Sequence, residues 1–110
     1  MRSADSSHHA RAAPALASYQ LRRDGFSVLR TARREMFDLV AWKGDLLLFV
    51  VVRRTRSAGV SEWTDLVRDL ARLSGEDFVP GRIQLWILRS GVWHRYRVLS
   101  GGLVPVEVQG

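Results

Sequence analysis

Residues 37–54 read FDLVAWKGDLLLFVVVRR, and they contain two predicted strands joined by a tight turn. Residues 46–52 are seven consecutive apolar residues, and so short a run between turn signals is typical of a strand covered on both faces. Gly44 supplies the positive φ that a hairpin turn needs, so residues 37–42 are predicted to pair with this run. The stretch therefore predicts the centre of a sheet.

Helices are predicted on both sides of this hairpin. The first covers residues 11–24, with Pro14 in its first turn, and a short strand over residues 26–29 follows it. The second begins near Ser61 and ends near Leu73. Its apolar residues recur at helical spacing, which predicts packing against the sheet. This apolar stripe consists of Trp63, Leu66, Val67, Leu70 and Leu73.

The C-terminal part is predicted to form a second hairpin, from residues 82–88 and 92–99, with an optional edge strand over residues 103–108. Because a helix connects the third strand to the fourth, these two strands are predicted to be parallel. The order is α-β-β-β-α-β-β, and the fold class is α/β (α+β), a mixed sheet of five or six strands flanked by helices. On the last hairpin, Trp93, Arg95 and Arg97 share a face, which suits either core or dimer packing or the stacking of bases.

Length and composition indicate one domain. The chain has 110 residues, of which 46% are hydrophobic, so we expect a single domain over residues 11–110 after a disordered tail at 1–10. The absence of cysteine excludes disulfides, thiolate nucleophiles and cysteine-based zinc sites. No apolar run reaches the roughly 18 residues of a membrane helix, so a cytoplasmic location without membrane contact is the expectation.

The charge balance favours a polyanionic partner. The formal net charge is +6 and the sequence pI is about 11.2. Sixteen of the 17 basic residues are arginine, which is always charged and binds phosphate in a bidentate manner. Charge alone argues non-specific attraction, so DNA is the expected partner without sequence preference.

The element order and the residues of the first hairpin resemble the PD-(D/E)XK nuclease superfamily. Within it the chain is similar to small archaeal Holliday-junction-resolvase-like and restriction-endonuclease-like proteins, and also to bacterial YraN-like proteins. The resemblance covers about residues 15–88 and implies a restriction-endonuclease-like fold. In that superfamily an Asp and a Glu-X-Lys tripeptide on the next strand bind Mg²⁺ and activate water, because Mg²⁺ prefers hard oxygen ligands.

The resemblance carries over to Asp38 and fails at the other positions. Val51 stands where the Glu belongs and Arg53 where the Lys belongs, and residues 11–23 contain no acid to match a helix Glu. Valine has no lone pair for a metal, and arginine does not lose its proton. We therefore predict an ion pair between Asp38 and Arg53 in place of the metal. The predicted function is a catalytically degenerate domain without a cofactor.

Two alternatives stay open. A carboxylate relocated from Glu35, Asp45 or Glu62 would restore an active, Mg²⁺-dependent endonuclease. A structural or interaction module would instead form a homodimer or pair with an active relative. The predicted nucleic-acid-binding residues are the arginines near the ends of the first and third strands. They are Arg30, Arg33, Arg34, Arg53, Arg54 and Arg56.

Overall fold

The computed structural model describes residues 2–31, 36–56, 63–75 and 79–106, with side chains from residue 12 onward. The elements in chain order are helix α1 (Arg2–Arg23), strands β1 (Ser27–Arg30), β2 (Leu39–Lys43) and β3 (Leu46–Thr55), helix α2 (Thr64–Gly75), and strands β4 (Arg82–Arg89), β5 (Val92–Leu99) and β6 (Gly102–Pro105). They build one sheet in the order β1-β2-β3-β4-β5-β6. Only the β3–β4 pair is parallel among these strands, as predicted, and the optional edge strand is present as β6.

Strand β3 lies at the centre of the sheet and is covered on both faces. Leu48, Val50 and Val52 are buried on the side of α1, whereas Val51 is buried on the side of α2. The exposed fraction is 0% for both Val50 and Val51, which leaves no solvated face in this part of the strand. The prediction from the apolar run is therefore confirmed.

Helix α2 covers one face of β4, β5 and β6. Leu70 is fully buried, and the other members of the predicted apolar stripe pack around it as partly buried side chains. An amphipathic helix gains most of its stability from such packing, so the stripe was a reliable signal. The predicted capping residue Ser61 lies outside the described residues.

Helix α1 covers the opposite face over β1, β2 and β3. Ala13, Ala17 and Leu21 follow each other at a spacing of four residues and are buried. The helix ends where Gly25 adopts a φ of 93°, a value that glycine reaches without steric cost. There the Phe26 N–H donates to the Leu21 carbonyl at 3.0 Å, which satisfies one of the last carbonyls and turns the chain into β1.

The predicted start of α1 at residue 11 is wrong. The helix begins at Arg2, so it covers residues 2–10 of the segment for which the sequence predicts a disordered tail, and Pro14 lies inside it. Proline favours the first turn of a helix because further inside it removes one backbone hydrogen bond. This is a preference, and proline also occurs inside helices. The alanines next to Pro14 have the highest helix propensity and favour continuation. Neither described helix combines the length and apolar character needed to cross a bilayer.

Candidate functional site

Asp38 lies at a bend that precedes β2. Phe37 packs on the α2 side of the sheet, where its ring centroid is 5.3 Å from that of Phe49. Leu39 is buried on the α1 side. Two residues that are separated by one position in a regular strand share a face, so the backbone must leave strand geometry between them. Strand β2 therefore begins at Leu39, and the predicted start at residue 37 is wrong because of this bend.

The bend directs the Asp38 carboxylate towards the end of β3. The Val52 N–H donates to Asp38 Oδ2 at 2.7 Å, and Arg53 Nη1 donates to the same oxygen at 3.2 Å. Arg53 Nη1 also donates to the Val52 carbonyl at 2.8 Å. The two charged side chains are 29% and 36% exposed, so the pair is partly shielded from water. The ion pair predicted from the sequence is present.

The backbone at Asp38 is bound to both neighbouring segments. Its N–H donates to the Val50 carbonyl at 2.9 Å, and its carbonyl accepts the Thr31 N–H at 3.0 Å. The Thr31 hydroxyl donates to the carbonyl of Phe37. Because the carboxylate binds the Val52 N–H, Asp38 supplies the acceptor that a strand carbonyl would otherwise give. Asp38 is therefore a structural residue of this hairpin.

The position that would supply the second metal ligand is closed. Val51 is 0% exposed and belongs to an apolar cluster with Leu70 and Leu85 below α2. It contributes no oxygen, and Arg53 places a permanent positive charge beside Asp38. Over the ranges that the structure describes, no three His, Cys, Asp or Glu side chains come together to hold a metal. These residues do not fit Mg²⁺, which needs several oxygen ligands in octahedral geometry.

The candidate relocated acids do not complete the site within the described residues. Asp45 lies in the turn before β3, at the opposite end of that strand from Val52. Seven residues of extended chain correspond to about 23 Å, so Asp45 cannot share a metal ion with Asp38. Glu35 and Glu62 lie outside the described residues.

The described members of the predicted nucleic-acid-binding set lie at one end of the sheet. Strands β1 and β3 run in the same direction, so Arg30, Arg53 and Arg54, near their C-terminal ends, lie at the same end of the sheet. Arg30, Arg54 and Arg56 are exposed, whereas Arg53 is engaged by Asp38. The predicted residues Arg33 and Arg34 lie outside the described residues. We call Arg30, Arg53, Arg54 and Arg56 the strand-end cluster.

A second polar constellation was not predicted. The Arg95 guanidinium lies 4.1 Å from the centroid of the Trp86 ring, and its Nη1 is 3.7 Å from Asp24 Oδ2. Burial lowers the pKa of Arg95 below its ordinary value, and the Asp24 carboxylate offsets part of this shift. The alternation of side chains along β5 predicts which face of the sheet Arg95 lies on. No local signal in the sequence predicts that it pairs with Asp24 at the end of α1.

Comparison with known proteins supports the fold. No family model matches the sequence, and no curated protein matches it. Among solved structures, the chain is similar to the Holliday junction resolvase Hjc from the archaeal hyperthermophile Archaeoglobus fulgidus. The TM-score is 0.62 at 17% identity, and the match covers 82% of this chain and 73% of that one. The chain therefore has a restriction-endonuclease-like fold, which over its described residues is a mixed six-stranded sheet flanked by two helices.

Proposed function

We propose that this chain is a catalytically degenerate nuclease-like domain that binds nucleic acid non-specifically through arginine. The observation that carries the proposal is the contact between Asp38 and Arg53, at 3.2 Å. In a nuclease site of this fold the corresponding carboxylate would be available to a metal ion. Here its Oδ2 already accepts hydrogen bonds from Arg53 and from the Val52 N–H.

The chemistry of the matched positions also supports the loss of catalysis. Hydrolysis of a phosphodiester requires an activated water and stabilisation of the charge that develops at phosphorus. Val51 can do neither, and Arg53 cannot accept a proton from water. Arg53 remains able to bind a phosphate oxygen, since its side chain is 36% exposed. The site is therefore suited to binding phosphate without cleaving it.

The strand-end cluster supplies the charge for such binding. Arg54 and Arg56 are exposed at the same end of the sheet as Arg30. Arginine contacts with phosphate position a nucleic acid without reading its sequence, and they give a strong dependence on salt. The expected ligand is therefore DNA or RNA of any sequence.

A gel shift tests the proposal with charge-matched variants. The double variant R54Q/R56Q removes two arginines from the strand-end cluster, whereas the control R68Q/R72Q removes two exposed arginines from α2. We expect R54Q/R56Q to weaken duplex binding by about tenfold and to reduce the slope of log K against log salt by about 2. The control is expected to change both quantities less, although its net charge is the same.

Equal effects of the two double variants would contradict the proposal, because binding would then follow net charge alone. Absence of any shift for the wild-type chain at low salt would also contradict it. If the wild-type chain shifted no nucleic acid and sedimented as a dimer, the alternative of a structural or interaction module would be favoured instead. The exposed apolar side chains on β1, on β2 and just before β2 would then be the first surface to test. They are Leu29, Met36 and Trp42, with exposed fractions of 59%, 42% and 43%.

A further inference from the structure

On the side of the sheet that α1 covers, part of the surface formed by β4, β5 and β6 is not covered by any described helix. Helix α1 packs over β1, β2 and β3, and on the same side β4, β5 and β6 extend beyond it. Trp86, on β4, is buried on the α1 side of the sheet. Because directly paired residues share a face, the register of β4, β5 and β6 identifies the other side chains on that side. We call this surface the open face. It consists of Arg82, Gln84, Trp93, Arg95, Arg97, Leu99 and Val104.

The open face is cationic. Arg82 and Arg97 are exposed, and Arg95 lies between them and Trp93 with 12% of its side chain exposed. Asp24, at the end of α1, is the acid that the described ion pairs place against this face. Arg95 and Arg97 are two positions apart on β5, and Arg82 lies one further step along on β4. The Cα positions of the three arginines therefore form a row with steps of about 7–8 Å.

The same face also offers apolar contact. Leu99, the last residue of β5, and Val104, on the edge strand β6, are 36% and 46% exposed. Trp93 is half-buried, and its ring is fixed by an edge contact with Trp86 at 5.3 Å between centroids. A row of cations beside apolar and aromatic side chains is the arrangement that binds single-stranded nucleic acid, with phosphates on the cations and bases on the apolar groups.

We propose that the open face binds single-stranded nucleic acid, independently of the strand-end cluster. A duplex fits less well, because its bases are paired and stacked inside and cannot use Leu99, Val104 or Trp93. A second copy of the chain also fits less well, because a symmetric contact on this face would bring two cationic surfaces together. The ligand is therefore a flexible polyanion with accessible bases.

Fluorescence anisotropy with a labelled oligothymidylate and a duplex of equal length tests the proposal. The variant R82Q/R97Q removes two charges from the open face, and R68Q/R72Q again serves as the control on α2. We expect R82Q/R97Q to raise the Kd for oligothymidylate about tenfold and to lower its salt slope by about 1.4. Its effect on the Kd for the duplex is expected to be smaller. V104E, which adds a negative charge at an exposed position of β6, should also weaken oligothymidylate binding.

The proposal is overturned if R82Q/R97Q binds oligothymidylate as tightly as R68Q/R72Q does. It is also overturned if self-association of the wild-type chain is lost in R82Q/R97Q without a change in oligothymidylate binding, since the face would then contact a second copy. The gel shift with R54Q/R56Q tests the strand-end cluster separately. A negative result for R82Q/R97Q would therefore not contradict the proposed function.

Discussion

Val51→Glu is expected to lower the free energy of unfolding by about 3 kcal/mol or more, because it places a carboxyl group in a dry, apolar position. Val51 is 0% exposed and packs in the cluster that includes Leu70 and Leu85. Arg53, two residues further along β3 on the same face, already donates to Asp38. A second carboxylate here would compete with Asp38 for one guanidinium. Urea unfolding followed by tryptophan fluorescence measures the change.

The matched control is Val104→Glu, the same substitution at a position that is 46% exposed. It is expected to change the free energy of unfolding by no more than about 0.5 kcal/mol. A Val51→Glu variant as stable as the wild-type chain would show that a carboxylate at this position reaches water or a partner. The position would then be open to a metal ligand, contrary to our interpretation of the site.

Asp38→Ala is expected to lower the free energy of unfolding by about 2–3 kcal/mol. The substitution removes the acceptor of the Val52 N–H, at 2.7 Å, and of the Arg53 guanidinium, at 3.2 Å. Both donors would remain partly buried, and an unsatisfied donor costs more than the hydrogen bond contributed. Chemical denaturation at neutral pH measures this loss.

Asp38→Asn separates the acceptor from the charge, because it retains one oxygen that can accept the Val52 N–H. We expect it to cost about 1 kcal/mol, since the ion pair is partly exposed and such pairs contribute little. If Asp38→Ala were as stable as the wild-type chain, or more stable, Asp38 would not be a structural residue. Gain of stability on removal is the behaviour of residues that are retained for activity.

The centre of the fold was accessible from sequence because its signals are local. The apolar run of β3 and the apolar stripe of α2 each contain their own periodicity, and the intervening helix requires the parallel β3–β4 pair. The pair of Asp38 and Arg53 was also predicted, because the resemblance to a nuclease hairpin places the two positions on adjacent strands.

The remaining features depend on contacts that local patterns do not encode. The bend at Asp38 places Phe37 and Leu39 on opposite faces, whereas alternation assigns them to the same face. The contact of Asp24 with Arg95 joins the end of α1 to β5, more than half the chain away. Alternation along β5 predicts that Trp93 and Arg95 share a face, but whether that face is covered or open is decided by how α1 and α2 pack.

The central claim is that this nuclease-like fold has lost phosphodiester cleavage, and a cleavage assay tests it most directly. Labelled branched, duplex and single-stranded DNA are incubated with excess protein and either Mg²⁺ or Mn²⁺, beside protein-free controls and the Asp38→Asn variant. We predict no product above the protein-free control for either protein. Product that forms with the wild-type chain, stops on chelation and is absent with Asp38→Asn would contradict the claim, because Asp38 would then bind a metal rather than Arg53.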